Sequence, residues 1–218
     1  MSLISKDYQL YFINKNGNKN ADFSNLSFWK DANCLTDFSS PWENDSFSKI
    51  EFRALHDLEN FYFKFRVFDT DIYIDKKDDS FESIGNSDRV ELFFRTNESL
   101  NPYYCLEIDT SGRIMDFKAR PNKDFDFNWK WPKNDIEVKT SKDETSFIVS
   151  GRISIQSLKD LNLIHNNTIE TGVFSAKFSL VENLQYKPTW ISWVNPNTET
   201  PNFHIASSFG RFILSPLI

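Results

Sequence analysis

The sequence is poor in the residues that carry most enzyme chemistry. It has three histidines, His56, His165 and His204, and two cysteines, Cys34 and Cys105. The histidines are scattered, and neither cysteine sits at a metal-ligand spacing. There is no Gly-rich phosphate loop, no Gly-x-Ser-x-Gly, no His-Glu-x-x-His and no cysteine pair at zinc spacing. These absences speak against phosphate-loop nucleotide enzymes, serine hydrolases of that motif and zinc-dependent enzymes. Cys105 lies in an apolar, strand-like stretch, where a free buried thiol is the default; a Cys34–Cys105 disulfide stays open.

Long apolar runs are missing too. None approaches a membrane span, and Met1–Asp7 lacks the apolar core of a signal peptide. That leaves a cytoplasmic protein, or an exported one whose leader has been removed. Sequons at Asn25, Asn44, Asn97 and Asn166 are expected by chance in so Asn-rich a chain. Basic clusters are also lacking along the sequence. With a net charge of −6 and a pI near 5.2, the chain carries no nucleic-acid footprint. It is equally ill suited to an anionic membrane surface or a polyphosphate. Neutral polar ligands or cations suit it better.

What is abundant is phenylalanine, with 22 residues. Aromatics pack well on a pleated sheet face, and the pattern agrees. Phe61, Phe63, Phe65 and Val67 alternate with Tyr62, Lys64, Arg66 and Phe68, a period of two that predicts a strand. Val90–Phe94, Tyr104–Ile108, Ser146–Ile153 and Val173–Val181 read as strands as well. Shorter candidates are Ser48–Leu55, Ile136–Thr140, Trp190–Val194 and Phe212–Leu214. Asp109–Gly112 predicts a turn that hairpins into Arg113–Ala119. Helix is scarce: Ser154–Leu161, with Ser154 as N-cap, gives one or two turns, and Phe28–Leu35 adds another at most. No linker or repeat divides the chain. These features predict one domain over residues 1–218, an all-β antiparallel β-sandwich, immunoglobulin-like or jelly-roll-like, with one or two short helices.

Two long polar loops are candidate binding loops, 69–88 and 121–135. The first opens Asp69-Thr70-Asp71, followed by Asp75, Asp78 and Asp79. Calcium takes six or more oxygen ligands, so Asp69 and Asp71 are candidate ligands for a structural Ca²⁺, against the plainer reading of a solvated acidic loop. The second loop holds Phe125, Phe127, Trp129 and Trp131, which fold back on the sheet or meet a ligand. Exposed aromatic patches are unfavourable in water, so folding back is preferred.

The chain closes on Trp190-Ile191-Ser192-Trp193, then Phe203-His204, then Phe209-Gly210. Trp190 and Trp193 are separated by an odd number of positions, so in a strand they face opposite sides and one of them belongs to the core. His204 beside Phe203 is either a packed residue or a reactive one, and packing is the default. Arg89 and Glu91 share one strand face. They are either hydrogen-bonding groups for a hydroxylated ligand or, with Glu107, a structural ion pair. A sugar site combines aromatic platforms with charged or amide partners for hydroxyls. The aromatics available are Tyr104, Trp129, Trp131, Trp190, Trp193 and Phe203; with Trp190 taken to line the site, Trp193 falls to the core, and His204 beside Phe203 is a further candidate. The polar partners are Asp69, Arg89, Glu91, Glu107 and Lys177.

The motifs also have a familiar order. Trp29-x-x-Ala32-x-x-Leu35-x-Asp37-Phe38-x-x-Pro41-Trp42 is followed by Phe61–Asp69, Asp88-Arg89-Val90-Glu91-Leu92-Phe93-Phe94, and Tyr103–Ile108. Trp190–Pro196 and Phe203–Gly210 close the series. Over roughly residues 25–216 the chain resembles the family 9 carbohydrate-binding modules and their family 9-like relatives, within the wider DOMON-like β-sandwich group. The resemblance implies a β-sandwich, often calcium-bearing, that binds sugars without cleaving them. The partners it implies are an oligo- or polysaccharide of glucan or xylan type, or a small sugar. In those modules two tryptophans sandwich a terminal sugar, while carboxylates and an arginine hold its hydroxyls. Carried over by position, Asp69 and Glu91 match binding carboxylates, and Lys177 falls near a binding amide. Phe203 stands where the sugar binders have Trp. The other stacking Trp falls near Ile84-Gly85, where no aromatic exists, so Trp129 or Trp131 would have to substitute from its loop. Two other functions compete: a structural or interaction sandwich that has lost its ligand, and an enzyme or a haem carrier of DOMON type using Met115 and His204.

Overall fold

The computed structural model describes residues 6–14, 22–43, 47–181 and 185–216. It is mostly β structure with two short helices. The strands are β1 (Asp7–Phe12), β2 (Ile50–His56), β3 (Asn60–Val67), β4 (Arg89–Arg95), β5 (Tyr103–Asp109) and β6 (Ile114–Arg120). They continue with β7 (Asp124–Asp126), β8 (Ile136–Lys142), β9 (Phe147–Ser154), β10 (Thr168–Val181), β11 (Gln185–Ser192) and β12 (Gly210–Leu214). The helices are α1 (Phe81–Gly85) and α2 (Ile155–Asp160). Ser154 caps α2 as its sequence predicts, its hydroxyl accepting from the Ser157 N–H at 3.1 Å.

The strands form one curled sheet in the order β7-β6-β5-β4-β10-β12-β1-β2-β3-β9-β8, with β11 paired to β10 beside that path. The sheet is mixed, which corrects the antiparallel expectation. β1 is the reason: Asp7–Leu10 pair in parallel with Arg211–Leu214 of β12, and Tyr11 and Phe12 pair in parallel with Leu55 and His56 of β2. β1 has only a short alternation, Tyr8 and Leu10 buried between Asp7 and Gln9, which does not say what it pairs with, and its partners are strands distant in the chain. The Asp109–Gly112 turn forms as expected: Gly112 takes φ +88° and donates its N–H to the Asp109 carbonyl at 3.0 Å.

The two halves of the sheet face each other across the main core. The alternating Phe face of β3 meets the even-numbered residues of β4 and β12: the Phe61 ring lies 6.1 Å from both Phe94 and Phe212, and Phe52 stacks on Phe212 at 5.6 Å. Each fully buried Phe contributes about 2–3 kcal/mol of apolar burial. Because side chains alternate, β4, β5, β6 and β10 carry a second apolar cluster on their outer face, built on Phe93, Tyr103, Cys105, Phe117 and Phe174. The segment before β12 packs Phe203 and Phe209 over it. Cys34 is exposed and Cys105 buried, and both are free thiols, so the disulfide does not form.

The Phe-Gly close is explained by Trp193. Its indole lies across Gly210 on the core side: a Cβ there would stand 2.6 Å from Trp193 Cζ3 and 2.8 Å from the Lys6 carbonyl oxygen. Trp193 packs on Phe212 in the main core, whereas Trp190 belongs to the outer cluster. The two tryptophans therefore face opposite sides, as their spacing predicts.

Candidate functional site

The outer face of β4 presents Arg89, Glu91, Phe93 and Arg95 in alternation. Register places Glu91 directly opposite Glu107 of β5. Two carboxylates facing each other across adjacent strands repel, and Arg89 lies between them. Its Nε donates to Glu107 Oε2 at 2.7 Å and stands 2.9 Å from Glu91 Oε1. Its Nη1 donates to the Gly85 carbonyl at 2.6 Å, and its guanidinium covers the Trp190 ring at 5.4 Å. All three charged side chains are buried.

The single Nε–H of Arg89 points at Glu107, so Glu91 Oε1 is buried without a hydrogen bond. Burial, and then the Glu107 charge, push the Glu91 carboxyl up to about 8, against the opposing Arg89 charge. Burial also raises Glu107, with Arg89 opposing. Near neutral pH Glu91 is therefore held toward its protonated form beside Glu107 and Arg89, so that the cluster presents donors as well as acceptors.

Trp190, Phe203 and His204 complete a pocket of about 170 Å³ over this cluster, with Lys123, Pro201 and Asn202 at its edge. Phe203 is stacked on Phe174 at 4.1 Å and stands edge-on to Trp190 at 5.8 Å. His204 stacks on Phe93 at 5.0 Å, and its Nδ1 lies 3.1 Å from the Tyr103 hydroxyl. Burial, then the Lys123 and Arg89 charges, lower its pKa to about 3, so it is a neutral ring at physiological pH. Lys123, Pro201 and Asn202 escaped the sequence reading. Pro201 and Asn202 adjoin Phe203, which was the available signal. Lys123 reaches the pocket from a backbone kink in which Asn122 and Lys123 take φ +66° and +58°.

Six of the eleven predicted residues thus meet in one pocket: Arg89, Glu91, Glu107, Trp190, Phe203 and His204. The other five lie elsewhere. Tyr104, Trp129 and Trp131 are on the opposite side of the sheet, in or against the main core: Trp129 and Trp131 pack on Tyr104 and on each other, and Trp131 donates its indole N–H to Ser157 Oγ at 3.0 Å. The 121–135 loop wraps the sheet edge. Phe125 and Phe127 cover Phe117 on the outer face, and the two tryptophans cross to the inner one. The loop folds back as preferred, and neither Trp129 nor Trp131 substitutes for the missing platform.

Asp69 and Lys177 form a separate strap. Lys177 alternates with Ala176 and Phe178, which points it away from the pocket. Its ammonium bridges Asp69 at 3.1 Å and Asp88 at 2.8 Å, and it donates to the Asp71 carbonyl. Asp69 Oδ1 accepts from the Asp71 N–H at 2.9 Å. A Ca²⁺ on Asp69 and Asp71 would compete with this ammonium, so these residues as arranged do not fit the ion. Among the described residues, no three His, Cys, Asp or Glu side chains are placed to share a metal.

A family profile described as "Carbohydrate family 9 binding domain-like" matches residues 22–217. The chain belongs to that family. It is a family of binding domains, not of enzymes. A protein from Bacteroides uniformis ATCC 8492 proposed to bind carbohydrate shares the fold at a TM-score of 0.72, with 14% identity over 97% of this chain and 100% of that one. Two structures of a family 9 module from Caldicellulosiruptor kristjanssonii, in complex with cellotriose and with glucose, align at TM-scores of 0.61 and 0.60. Both are 14% identical and cover 98% of this chain, and 95% and 97% of their own. No curated protein matches the sequence. Among the described residues of this family 9-like protein, no helix is long and apolar enough to cross a membrane.

Proposed function

We propose that this family 9-like protein binds a sugar, without cleaving it, in the outer-face pocket of β4 and β5. The observation that carries this reading is the buried Arg89–Glu91–Glu107 cluster beneath Trp190. Sugar hydroxyls both donate and accept hydrogen bonds, and a guanidinium beside two carboxyls, one held toward its protonated form, answers them in both senses. Trp190 and Phe203 supply apolar surface for the ring faces. At about 170 Å³, the pocket is smaller than the ~300–1,000 Å³ of pockets that enclose drug-sized ligands. It suits one ring, the end of a glucan or xylan chain or a free monosaccharide, better than a chain lying lengthwise. The glucose and cellotriose held by the two structural neighbours are ligands of this class. We read the architecture as a β-sandwich closed at one margin by β1, forming one domain over residues 1–218.

Calorimetry with glucose, cellotriose and xylotriose, each with and without Ca²⁺, tests the reading. Saturable heat is expected with at least one of them, and Trp190→Ala should weaken it by about tenfold, the scale of removing one aromatic anchor from a binding site. Absence of heat with every sugar at millimolar concentration, or unchanged affinity in Trp190→Ala, refutes it. The first outcome would leave an interaction domain as the better account.

A further inference from the structure

The outer face of the other half of the sheet carries a second cavity, of about 270 Å³. Trp29 and Leu26 wall one side, and Lys30, Arg53, Lys64 and Arg66 converge on it. Alternation puts them there: Arg53 on β2 lies directly opposite Lys64 on β3, and Arg66 comes two residues after Lys64. Glu51 is the single acid in the lining, and its Oε1 already holds Lys49 at 2.7 Å.

The basic side chains differ in how far they are satisfied. Arg66 binds Asp143 at 3.1 Å and Ser146 at 3.0 Å, and Arg53 donates to the Ala32 carbonyl at 2.8 Å. Lys30 has a loose, exposed contact with Asp31 at 3.9 Å. Lys64 is the exception. The residue is only 7% exposed, yet among the described residues no carboxylate pairs with its ammonium, whose nearest aromatic is Trp29 at 6.0 Å. Burial, then the Arg53 and Arg66 charges, lower its pKa, against the opposing Glu51 charge.

Such an arrangement opposes folding. Like charges directly across two strands repel, and a largely buried lysine with no carboxylate partner loses solvation of its charge without an ion pair to offset it. Among the described residues, the lining sets four cations, Lys30, Arg53, Lys64 and Arg66, against the single acid Glu51, which faces Arg66 across the strands, so the cleft keeps a net positive charge. A cavity whose lining carries an excess of cations focuses an attractive field on anions.

We propose that this cleft binds an oxyanion, a carboxylate, sulfate or phosphate group on a molecule of about monosaccharide size. Lys64 meets the anion at the floor, Arg53, Arg66 and Lys30 surround it, and Trp29 lines the apolar side. The site is independent of the Glu91 pocket and lies on the opposite face of the molecule.

The test is calorimetry at low ionic strength with glucuronate, sulfate and phosphate, with glucose and sodium chloride as controls. At least one oxyanion should bind saturably at about 10 mM or below and should raise the melting temperature. Lys64→Met should lose about tenfold or more in that affinity, the scale of one charge-assisted hydrogen bond. It should melt no lower than the parent in the absence of anion, because it removes the repulsion. Lys30→Gln, at the exposed rim, should weaken binding by about twofold to threefold and leave the fold alone. Glucose binding should not change in either variant, so failure here is separable from failure of the sugar reading. Saturation by glucuronate alone identifies a carboxylate ligand; saturation by all three oxyanions identifies a general oxyanion site. No saturable heat from any of the three, or the same affinity in both variants as in the parent, overturns the proposal.

Discussion

Replacing Glu91 by Gln should stabilise the protein at alkaline pH, a consequence of two buried carboxyls served by one guanidinium. The sign follows from linkage. Burial and Glu107 raise the Glu91 carboxyl from 4.5 to about 8 in the folded state. Between those values the folded protein holds a proton that the unfolded chain has released. The parent's stability therefore falls as pH rises through that window. At about 1.4 kcal/mol for each pH unit, the whole span from 4.5 to about 8 comes to about 5 kcal/mol. This is an upper bound, because Glu107 shares the proton. Gln is neutral at every pH and of the same size, so it removes the dependence and leaves Glu107 paired with Arg89. Urea denaturation at pH 5, 7 and 9 measures the difference. Near pH 5 the two proteins should agree within about 1 kcal/mol. By pH 9 the variant should be the more stable by about 2–5 kcal/mol. Parallel profiles for the two proteins would refute the reasoning, since they would mean that Glu91 carries no shared proton.

Gly210→Ala should destabilise by about 1–3 kcal/mol through overpacking against Trp193, seen as a lower urea midpoint, with sugar binding retained by the folded fraction. Lys177→Met strands the buried Asp69 and Asp88 carboxylates and should remove about 3–5 kcal/mol at pH 7, and less at pH 4, where protonation of Asp88, whose carboxyl burial raises, relieves its charge; an equal loss at the two pH values would speak against the strap. Trp131→Ala should remove about 3–5 kcal/mol by opening a core cavity, while leaving calorimetric sugar affinity intact at a temperature where the variant is folded.

Much of the fold was legible because sheet faces obey a period of two. The Phe61–Val67 alternation, the Asp109–Gly112 turn and the Ser154 cap are local patterns, and local physics produced them. The same parity separated Trp190 from Trp193 and grouped Arg89 with Glu91. What parity cannot give is which strand lies beside which. The Glu91–Glu107 register follows from the β4–β5 hairpin and was within reach. The Phe203-His204 segment reaches the pocket only by packing over the outer cluster. Trp129 and Trp131 were offered as platforms because their loop is polar, and the loop's wrap around the sheet edge decided otherwise. Asp69 and Lys177 were carried over by position, and their mutual ion pair takes them out of the pocket. The basic cleft was invisible for the same reason that strands were visible. Lys30, Arg53, Lys64 and Arg66 are dispersed along the chain, and sheet register alone assembles them.

β1 has a consequence for how the chain reaches its final state. It joins the two halves of the sheet, and its main partner is β12, with Asp7 and Arg211 204 residues apart and linked side chain to side chain at 2.8 and 2.9 Å. Closing so long a loop is entropically slow. During synthesis β12 emerges last of all the strands, so the β1–β12 seam can be sealed only after every other strand has been made. Until then the Tyr8 and Leu10 side of β1, and the core face awaiting Phe212, lack their cover. In the interval between making β10 and making β12 the nascent chain therefore leaves this aromatic core face uncovered.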